Sequence, residues 1–340
     1  MRQFGIVKTG HRRKTGRPRK HRPVGTLLRR LIGVLLILTS VAMALSREPD
    51  RSVESLVARW APQPSQFIDL GGQLVHLRDE GPRNDPEPLV LIHGTSASLH
   101  TWDGWTQALR KQRRVIRFDL PGFGLTGPWT GPREGRSYHG DELARFALDL
   151  LDHLQVTRAV VAGNSLGGEV AWRMAVLAPT RVGRLVLVDA LGPDFQPEEV
   201  PAGFLLASVP VLNRIAEFAL PRSMVAQGVR SVYGDPSRVS DALVDRYFEL
   251  TLREGNRRAL GQRMSAMVRG EGAEAIAQVK VPTLILWGEK DRLIPPAVAI
   301  EFERLITGSQ RVVLPGLGHV PQEEDPQASL APVRTFLGLQ

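Results

Sequence analysis

Cysteine is absent from this chain of 340 residues. Its absence excludes disulfide bonds, thiolate zinc sites, iron–sulfur clusters and cysteine nucleophiles. Acidic residues are absent from the first thirty positions, which hold eleven lysines and arginines. Without these positions, 33 basic and 35 acidic residues remain, so the net charge of +9 falls to −2. The body of the protein therefore has no overall electrostatic reason to bind nucleic acid.

Internal repeats are also absent. Hydrophobic residues make up 42% and charged residues 23% of the chain, which is the composition of an ordinary globular protein. Such a composition excludes disorder of the whole chain, a collagen-like fibre and a protein with many membrane spans. At about 150 residues per domain, the length predicts one large domain or two small ones.

A charge-free run of fifteen residues, 31–45, follows the basic tail. A helix of that length is about 23 Å long, whereas the hydrocarbon core of a bilayer is about 30 Å thick. The run is therefore short for a membrane span and long for the core of a signal peptide. We expect residues 1–30 to be a disordered tail and residues 31–46 to be a retained membrane anchor. The alternative is secretion after cleavage near Ala42-Met43-Ala44.

The basic residues before the apolar run place the N-terminus in the cytoplasm and the rest of the chain on the periplasmic or extracellular side. Residues 47–65 are polar and end in two prolines, so we expect a stalk. From residue 66, short apolar segments alternate with helical patterns, which predicts an α/β fold with a mostly parallel sheet. The predicted strands are 67–70, 73–78, 89–92, 115–118, 159–162, 185–188, 283–287 and 310–314.

Residues 195–279 interrupt this alternation with several helical patterns and no convincing strand. Because they lie between two predicted strands, we expect a helical cap inserted into a core of residues 66–194 and 280–340. The aromatic and apolar residues of this segment either line an apolar pocket or pack the cap on the core. These residues are Phe195, Phe204, Leu205, Leu206, Phe218, Tyr233, Tyr247 and Phe248.

Ser165 lies in the pentapeptide Gly163-Asn164-Ser165-Leu166-Gly167, which follows a predicted strand and begins a predicted helix. A G-x-S-x-G pattern between a strand and a helix is typical of a nucleophilic serine on a sharp turn. The glycines avoid collisions with neighbouring backbone, and the following helix favours developing negative charge.

Other segments match the α/β-hydrolase fold family, which the chain resembles over about residues 66–340. The matching segments are His93-Gly94-Thr95, residues 119–124 (DLPGFG), residues 287–295 (WGEKDRLIP) and residues 318–326 (GHVPQEEDP). The resemblance implies an eight-stranded, mostly parallel sheet and a catalytic triad in the chain order Ser165, Asp291, His319. Asp189, at the end of a predicted strand, is a rival for the acid because some relatives carry it there.

In that triad, His319 would take the proton of Ser165 and deliver it to the leaving group, while Asp291 would orient the imidazole. The resemblance implies an oxyanion hole made by the backbone N–H groups of Thr95 and Leu166. Trp102 either packs in the core or walls the acyl pocket. We expect His93 to pack or to form a hydrogen bond under its turn, and we assign no catalytic role to His76, His100, His139 and His153. We expect no metal and no organic cofactor.

The serine argues against dehalogenases and epoxide hydrolases, which use an aspartate nucleophile on this fold. Asn164 resembles relatives that hydrolyse carbon–carbon bonds of ring-fission products, but residues 95–98 lack the glycine-rich stretch of those relatives. We therefore expect hydrolysis of a small or medium apolar carboxylic ester through an acyl-enzyme. The alternatives are a carbon–carbon bond hydrolase, a perhydrolase or an acyltransferase with the same triad, and a non-catalytic binding protein on this scaffold.

Overall fold

The computed structural model describes residue 5 and residues 24–45, 47–209, 213–214 and 217–339. Two compact units are present, residues 1–45 and residues 46–340. Most of the predicted basic tail lies outside the described residues. The first unit contains a helix, Val24–Leu45, in which several apolar side chains are exposed.

The predicted membrane anchor is corrected by the structure. Within the described ranges, no helix combines the length and the apolar character needed to cross a bilayer. The prediction of a single-pass membrane protein is therefore wrong. The physical reason is the short apolar run, since residues 31–45 span about 23 Å and the two arginines before them lie within the same helix.

The predicted mostly parallel eight-stranded sheet is confirmed. Its spatial order is β1-β2-β4-β3-β5-β6-β7-β8. The pairs β1–β2 and β2–β4 are antiparallel, and the other five pairs are parallel. The strands are β1 Gln66–Asp69, β2 Leu74–Glu80, β3 Leu89–Ile92, β4 Val115–Phe118, β5 Ala159–Asn164, β6 Val182–Val188, β7 Thr283–Gly288 and β8 Gln310–Leu314.

Both faces of the sheet are buried. Successive side chains of a strand point to opposite faces, so the two faces contribute to different apolar clusters. On β3, Val90 and Ile92 pack in one apolar cluster, whereas Leu89 and Leu91 pack in another. Helices cover both faces, which explains why β3 is apolar at every position. The helices of the core are Asp103–Leu109, Gly140–His153, Leu166–Leu177, Ala297–Leu305, Pro321–Glu324 and Pro326–Leu337.

Residues 195–279 lie between β6 and β7, and their described part is helical. The helices of this insertion are Ala202–Ser208, Arg222–Ser231, Asp241–Thr251 and Asn256–Ala266, with short 3₁₀ segments at Pro236–Arg238 and Ala273–Gln278. The insertion covers the carboxyl ends of the strands, because its side chains line the same cavity as residues that follow β3 and β5.

The segment expected to form a stalk contains a helix, Val53–Trp60, that packs on the body. Leu56 of this helix is buried against Leu125 and Leu250. The Trp60 indole N–H donates to Glu249 of the insertion at 2.6 Å. Residues 53–60 therefore bridge the core and the insertion rather than extending as a polar spacer.

The sheet brings the chemically interesting residues to one edge. His93 follows β3, Ser165 follows β5 and Asp189 follows β6. Asp291 lies three residues after β7, and His319 lies five residues after β8. Because these five strands are parallel neighbours, their carboxyl ends meet at the same edge, where ligands bind in open α/β sheets.

Candidate active site

Ser165 sits on a strained turn between β5 and the helix Leu166–Leu177. Its φ is +55° and its ψ is −119°, a conformation that non-glycine residues rarely adopt. The turn is tight, because a Cβ at Gly163 would overlap the Gly167 carbonyl oxygen and a Cβ at Gly167 would overlap the Ile92 carbonyl oxygen. The two glycines of the pentapeptide therefore allow the turn that presents the Ser165 hydroxyl.

His319 is bound to Asp291 through its Nδ1 atom, which lies 2.7 Å from Asp291 Oδ2. The other oxygen of Asp291, Oδ1, accepts the backbone N–H groups of Leu293 and Ile294, both at 2.9 Å. Both side chains of the His319–Asp291 pair are almost fully buried. With Nδ1 donating to the carboxylate, the Nε2 atom of His319 is free of a proton in the neutral ring and can accept one.

The loop that carries His319 is held by side-chain hydrogen bonds to two adjacent backbone groups. Asn164 Nδ2 donates to the His319 carbonyl oxygen at 2.9 Å and to the Val188 carbonyl oxygen at 3.1 Å. Glu324 Oε2 accepts the backbone N–H of Gly318 at 2.8 Å and that of Gly234 at 2.9 Å. The residue before the serine is thus tied directly to the histidine loop, and that loop is tied to the insertion.

Asp189, the rival acid of the sequence analysis, does not replace Asp291 as the hydrogen-bond partner of His319. It is fully buried, and its Oδ1 accepts the backbone N–H of Gly288 at 2.8 Å. Burial and the nearby Asp291 carboxylate raise the pKa of Asp189 well above the usual range of an aspartate. Asp189 is therefore a second carboxyl group behind the His319–Asp291 pair.

Two backbone donors lie beside Ser165. A Cβ on Gly94 would be 3.0 Å from the Ser165 Cβ, so the turn at residues 93–95 abuts the serine. In the described part of the chain, neither the Thr95 nor the Leu166 backbone N–H is paired with a protein acceptor. Free N–H groups of this kind can stabilise an oxyanion.

His93 supports this turn from below. Its Nδ1–H donates to the Gly94 carbonyl oxygen at 2.7 Å, and its Nε2 accepts the backbone N–H of Leu120 at 2.9 Å. Burial lowers the pKa of His93, although the Asp119 carboxylate and the Gly94 carbonyl oppose this effect. A neutral ring is the form that makes both hydrogen bonds at once.

Ser165 and His319 open on a common cavity of about 130 Å³ beneath the insertion. Apolar side chains of the insertion line most of it, including Phe204, Leu206, Leu220, Met224, Val225, Val229 and Leu260. A larger, more open cavity of about 580 Å³ also reaches Ser165 and Thr95, and Phe204 lines both. Ser165 therefore lines both a smaller, largely apolar inner cavity and a larger outer cavity.

Trp102 is placed in the core and does not line the cavity of Ser165. It is fully buried, and its ring centroid lies 5.0 Å from that of Trp105. The short 3₁₀ helix Leu99–Trp102 turns the chain back toward the sheet, which carries the indole into the apolar cluster away from the site. Of the two roles expected for this residue, the structure therefore supports packing.

Glu323 has no role assigned from the sequence, although it anchors a side chain of the cavity. The Tyr247 hydroxyl donates to Glu323 Oε2 at 2.8 Å, and Arg246 forms an ion pair with the same carboxylate. Tyr247 also lines the cavity of Ser165. Glu323 and Tyr247 lie 76 positions apart, and no short-range pattern links them. Glu324, by contrast, has a sequence signal in its fixed distance from His319.

The carboxyl oxygens of Asp189 and Asp291 and a ring nitrogen of His319 lie within 4.8 Å of one another. This is a spacing at which three ligands can hold a metal ion. However, the Asp291 and His319 atoms already bond to each other. His319, hydrogen-bonded to a carboxylate, can accept a proton from a hydroxyl group in the cavity that Ser165 also lines.

Comparison with known proteins gives concordant results. The family described as alpha/beta hydrolase fold matches residues 87–326. A dihydrolipoyllysine-residue acetyltransferase component of an acetoin cleaving system from Pseudomonas putida is 31% identical over 317 residues, covering 92% of this chain and 80% of that protein. A 2-hydroxy-6-oxo-2,4-heptadienoate hydrolase from Pseudomonas putida is 30% identical over 291 residues, covering 81% of this chain and 96% of the relative.

A similar solved structure is that of a meta-cleavage product hydrolase from Pseudomonas fluorescens, in a variant complexed with acetates. It superposes with a TM-score of 0.66 at 26% sequence identity and covers 81% of this chain and 97% of that chain. The similarity extends over nearly the whole length of the hydrolase.

Proposed function

This chain belongs to the alpha/beta hydrolase fold family, and we propose that it is a serine hydrolase with Ser165 as nucleophile, His319 as general base and Asp291 as the acid that orients it. The hydrogen bond of 2.7 Å between His319 and Asp291, on a cavity shared with Ser165, is the observation that carries this proposal. It leaves the unprotonated nitrogen of the histidine available to the serine.

In the proposed reaction, the Ser165 oxygen attacks a carbonyl carbon while its proton passes to His319. The negative charge on the carbonyl oxygen is accepted by the backbone N–H groups of Leu166 and Thr95. The intermediate then breaks the bond to the leaving group, which takes the proton from His319. A water molecule, deprotonated by His319, attacks the acyl-enzyme and releases the carboxylic acid and free Ser165.

For the bond that breaks, we favour a carbon–carbon bond next to a carbonyl group. The support comes from relatives named as hydrolases of 2-hydroxy-6-oxo-2,4-heptadienoate and of 2-hydroxymuconate semialdehyde, and from Asn164 before the serine. In this version the leaving group is a carbon atom, which takes its proton from His319. Such a leaving group departs readily only when its charge is delocalised, as in a dienoate that has first been converted to its keto form.

A carboxylic ester is the second candidate substrate, and two observations favour it. The inner cavity is lined largely by apolar side chains, as a simple acyl chain requires. Residues 95–98, Thr-Ser-Ala-Ser, also depart from the glycine-rich stretch expected for carbon–carbon hydrolases. With an ester, the bond that breaks is carbon–oxygen, and the alcohol takes the proton from His319.

We further propose that residues 195–279 act as a cap that encloses the substrate and selects its size. Phe204 and Leu206 come from the first helix of this insertion, and Val229 comes from the second. Enclosure by apolar side chains excludes water from the acyl group and strengthens the polar contacts at Ser165.

The test compares the two substrate classes on one protein. The purified enzyme is incubated with 2-hydroxy-6-oxo-2,4-heptadienoate, whose conjugated colour fades on cleavage, and separately with p-nitrophenyl butyrate. We expect kcat/KM to be higher for the dienoate and both activities to vanish in Ser165→Ala. A higher kcat/KM for the ester would select the second candidate, and unchanged activity of Ser165→Ala would refute the mechanism itself.

A further inference from the structure

Asp189 occupies a position that is costly for the protein. It follows β6 with a φ of +44°, in the left-handed region that non-glycine residues seldom adopt. Its side chain is fully buried, and its Oδ1 accepts the Gly288 backbone N–H. Its other oxygen, Oδ2, has no hydrogen-bond partner among the described residues. A buried polar atom left in this way requires an explanation.

Asp291 carries a second carboxyl group close to that of Asp189. Carboxyl oxygens of Asp189 and Asp291 and a ring nitrogen of His319 lie within 4.8 Å of one another. Glu324 also faces Asp189 and contributes negative charge. Two adjacent carboxylates buried in this way do not both ionise at neutral pH, because their repulsion is poorly screened.

The hydrogen bonds decide which of the two carries the proton. Asp291 accepts three of them, from the backbone N–H groups of Leu293 and Ile294 and from the His319 ring. Acceptance of several N–H groups favours an ionised carboxylate. Asp189 accepts one, and its second oxygen is the unpaired atom. Burial and the Asp291 charge also raise the pKa of Asp189, in agreement with this assignment.

We propose that Asp189 is a positioning residue, a neutral carboxylic acid whose Oδ2–H donates to the Asp291 carboxylate and holds it against His319. This role rests on the proposed function of Asp291 and His319. The extra hydrogen bond fixes the carboxylate in place and withdraws electron density from it, so that His319 is a weaker base than an unsupported pair would make it. Asp189 touches no substrate and acts through Asp291.

The kinetic test uses two substitutions with opposite expectations. In Asp189→Asn, the amide oxygen still accepts the Gly288 N–H, and the amide N–H still donates to Asp291. We expect this variant to keep kcat within about threefold of the wild type, with the acid limb of the pH–rate profile unmoved. In Asp189→Ala the donor is lost, and we expect kcat to fall about tenfold or more with KM little changed and the acid limb to move to higher pH.

Two outcomes would overturn the proposal. If Asp189 is ionised, the asparagine variant removes a negative charge near His319, and its acid limb moves to lower pH. If Asp189 has a merely structural role, the alanine variant loses thermal stability and activity while its pH profile stays where it was. Thermal denaturation of both variants accompanies the kinetics, so that a loss of folded protein is not read as a loss of kcat.

A second measurement does not depend on turnover. Carbon-13 NMR of aspartate carboxyl groups is recorded from pH 4 to 9 in the full chain carrying Ser165→Ala, with and without Asp189→Asn. We expect one carboxyl signal to remain in its protonated position at pH 7 and to be missing from the double variant. If every aspartate signal is ionised at pH 7, the proposal fails. Activity retained by Ser165→Ala would instead refute the proposed function. The protonation state of Asp189 could still be determined from the NMR signals in that case.

Discussion

The side-chain amide of Asn164 donates a hydrogen bond of 2.9 Å to the carbonyl oxygen of His319. This bond joins the residue before the proposed nucleophile to the backbone of the proposed base, across 155 positions of the chain. The distance between the serine and histidine loops is therefore set by a specific contact as well as by the strands beneath them. Asn164, which the sequence links to a substrate class, also has this structural task.

Replacement of Asn164 by alanine tests that task. The variant leaves the buried His319 carbonyl oxygen without this donor, whereas the Val188 carbonyl oxygen still accepts the Ser165 backbone N–H. We expect a loss of about 1–3 kcal/mol in the free energy of unfolding. We also expect kcat to fall about tenfold, because His319 is no longer held in register with Ser165. Urea denaturation and steady-state kinetics measure the two effects.

Asn256→Ala is the matched control. Asn256 Nδ2 also donates to two buried carbonyl oxygens, of Gly124 and Leu250, but away from Ser165 and His319. We expect a similar loss of stability with kcat nearly unchanged. Equal losses of kcat in the two variants would show that Asn164 acts through general stability alone.

A second serine, Ser65, forms the hydrogen bonds of a catalytic triad but does not line a substrate cavity. Its Oγ lies 2.9 Å from His76 Nε2, and His76 Nδ1 lies 2.7 Å from Asp119 Oδ2. Arg78 Nε also donates to this Oγ, and all of these side chains are buried. Ser65 does not line the cavity that holds Ser165, so we expect no reaction there.

We therefore expect Ser65→Ala to keep hydrolytic activity within about twofold while losing about 1–3 kcal/mol of stability, since His76 and Arg78 lose a partner. Ser165→Ala should behave in the opposite way, with activity lost and stability nearly unchanged. Loss of activity in a well-folded Ser65→Ala would assign a catalytic role to the buried cluster.

The buried His100 predicts a dependence of stability on acid. Burial, reinforced by the nearby positive charge of Arg246, lowers the pKa of His100 to about 3, although Asp119 and Asp103 oppose the shift. An unfolded histidine titrates near pH 6.5, so between these values the unfolded chain binds more protons than the folded one. This contribution to stability is therefore complete above about pH 6.5 and is lost as the pH falls toward 3.

The variant His100→Gln removes the titration, and its melting temperature should fall less steeply between pH 6.5 and 4 than that of the wild type. His153→Gln, at an exposed position, serves as the control and should follow the wild-type slope. Parallel slopes for His100→Gln and the wild type would show that His100 does not titrate in this way.

The size of the inner cavity predicts acyl-chain selectivity. Gly228 lines this cavity, and a Cβ there would meet its nearest neighbour, Pro201, at an ordinary 3.5 Å. In Gly228→Leu the larger side chain takes space from the substrate. We expect kcat/KM for p-nitrophenyl hexanoate to fall about tenfold, with the acetate ester, as internal control, changing by less than threefold. A uniform fall for both esters would indicate that the acyl group does not occupy this cavity.

The strands of the core could be predicted from the sequence because they are short, apolar and separated by helices. Three of them, Leu89–Ile92, Val115–Phe118 and Gln310–Leu314, have the predicted bounds. β6 begins at Val182 and not at residue 185, because Val182 and Arg184 pair with β5 through their backbone, with a shift of register between them at Gly183. Gly183 and Arg184 carry no apolar signal. Backbone pairing of polar residues leaves no trace in hydropathy.

Contacts between distant segments were beyond the reach of sequence patterns. Leu56 lies in a polar stretch, and its burial depends on Leu125 and Leu250, which no local periodicity relates to it. The contact between Asp189 and Asp291 is equally hidden from local patterns, because 102 positions separate the two residues. The sequence predicts both as candidate acids. Their proximity depends on the order of the strands, because β6 and β7 are neighbours in the sheet.

Covalent labelling of Ser165 tests the central claim most directly. The protein is reacted with a fluorophosphonate at several pH values, and the adduct is located by mass spectrometry of its peptides. The proposed mechanism predicts one adduct, on Ser165, that forms more slowly at acid pH as His319 gains a proton, and no adduct in Ser165→Ala. An adduct on another residue, or equal labelling of wild type and Ser165→Ala, would contradict it.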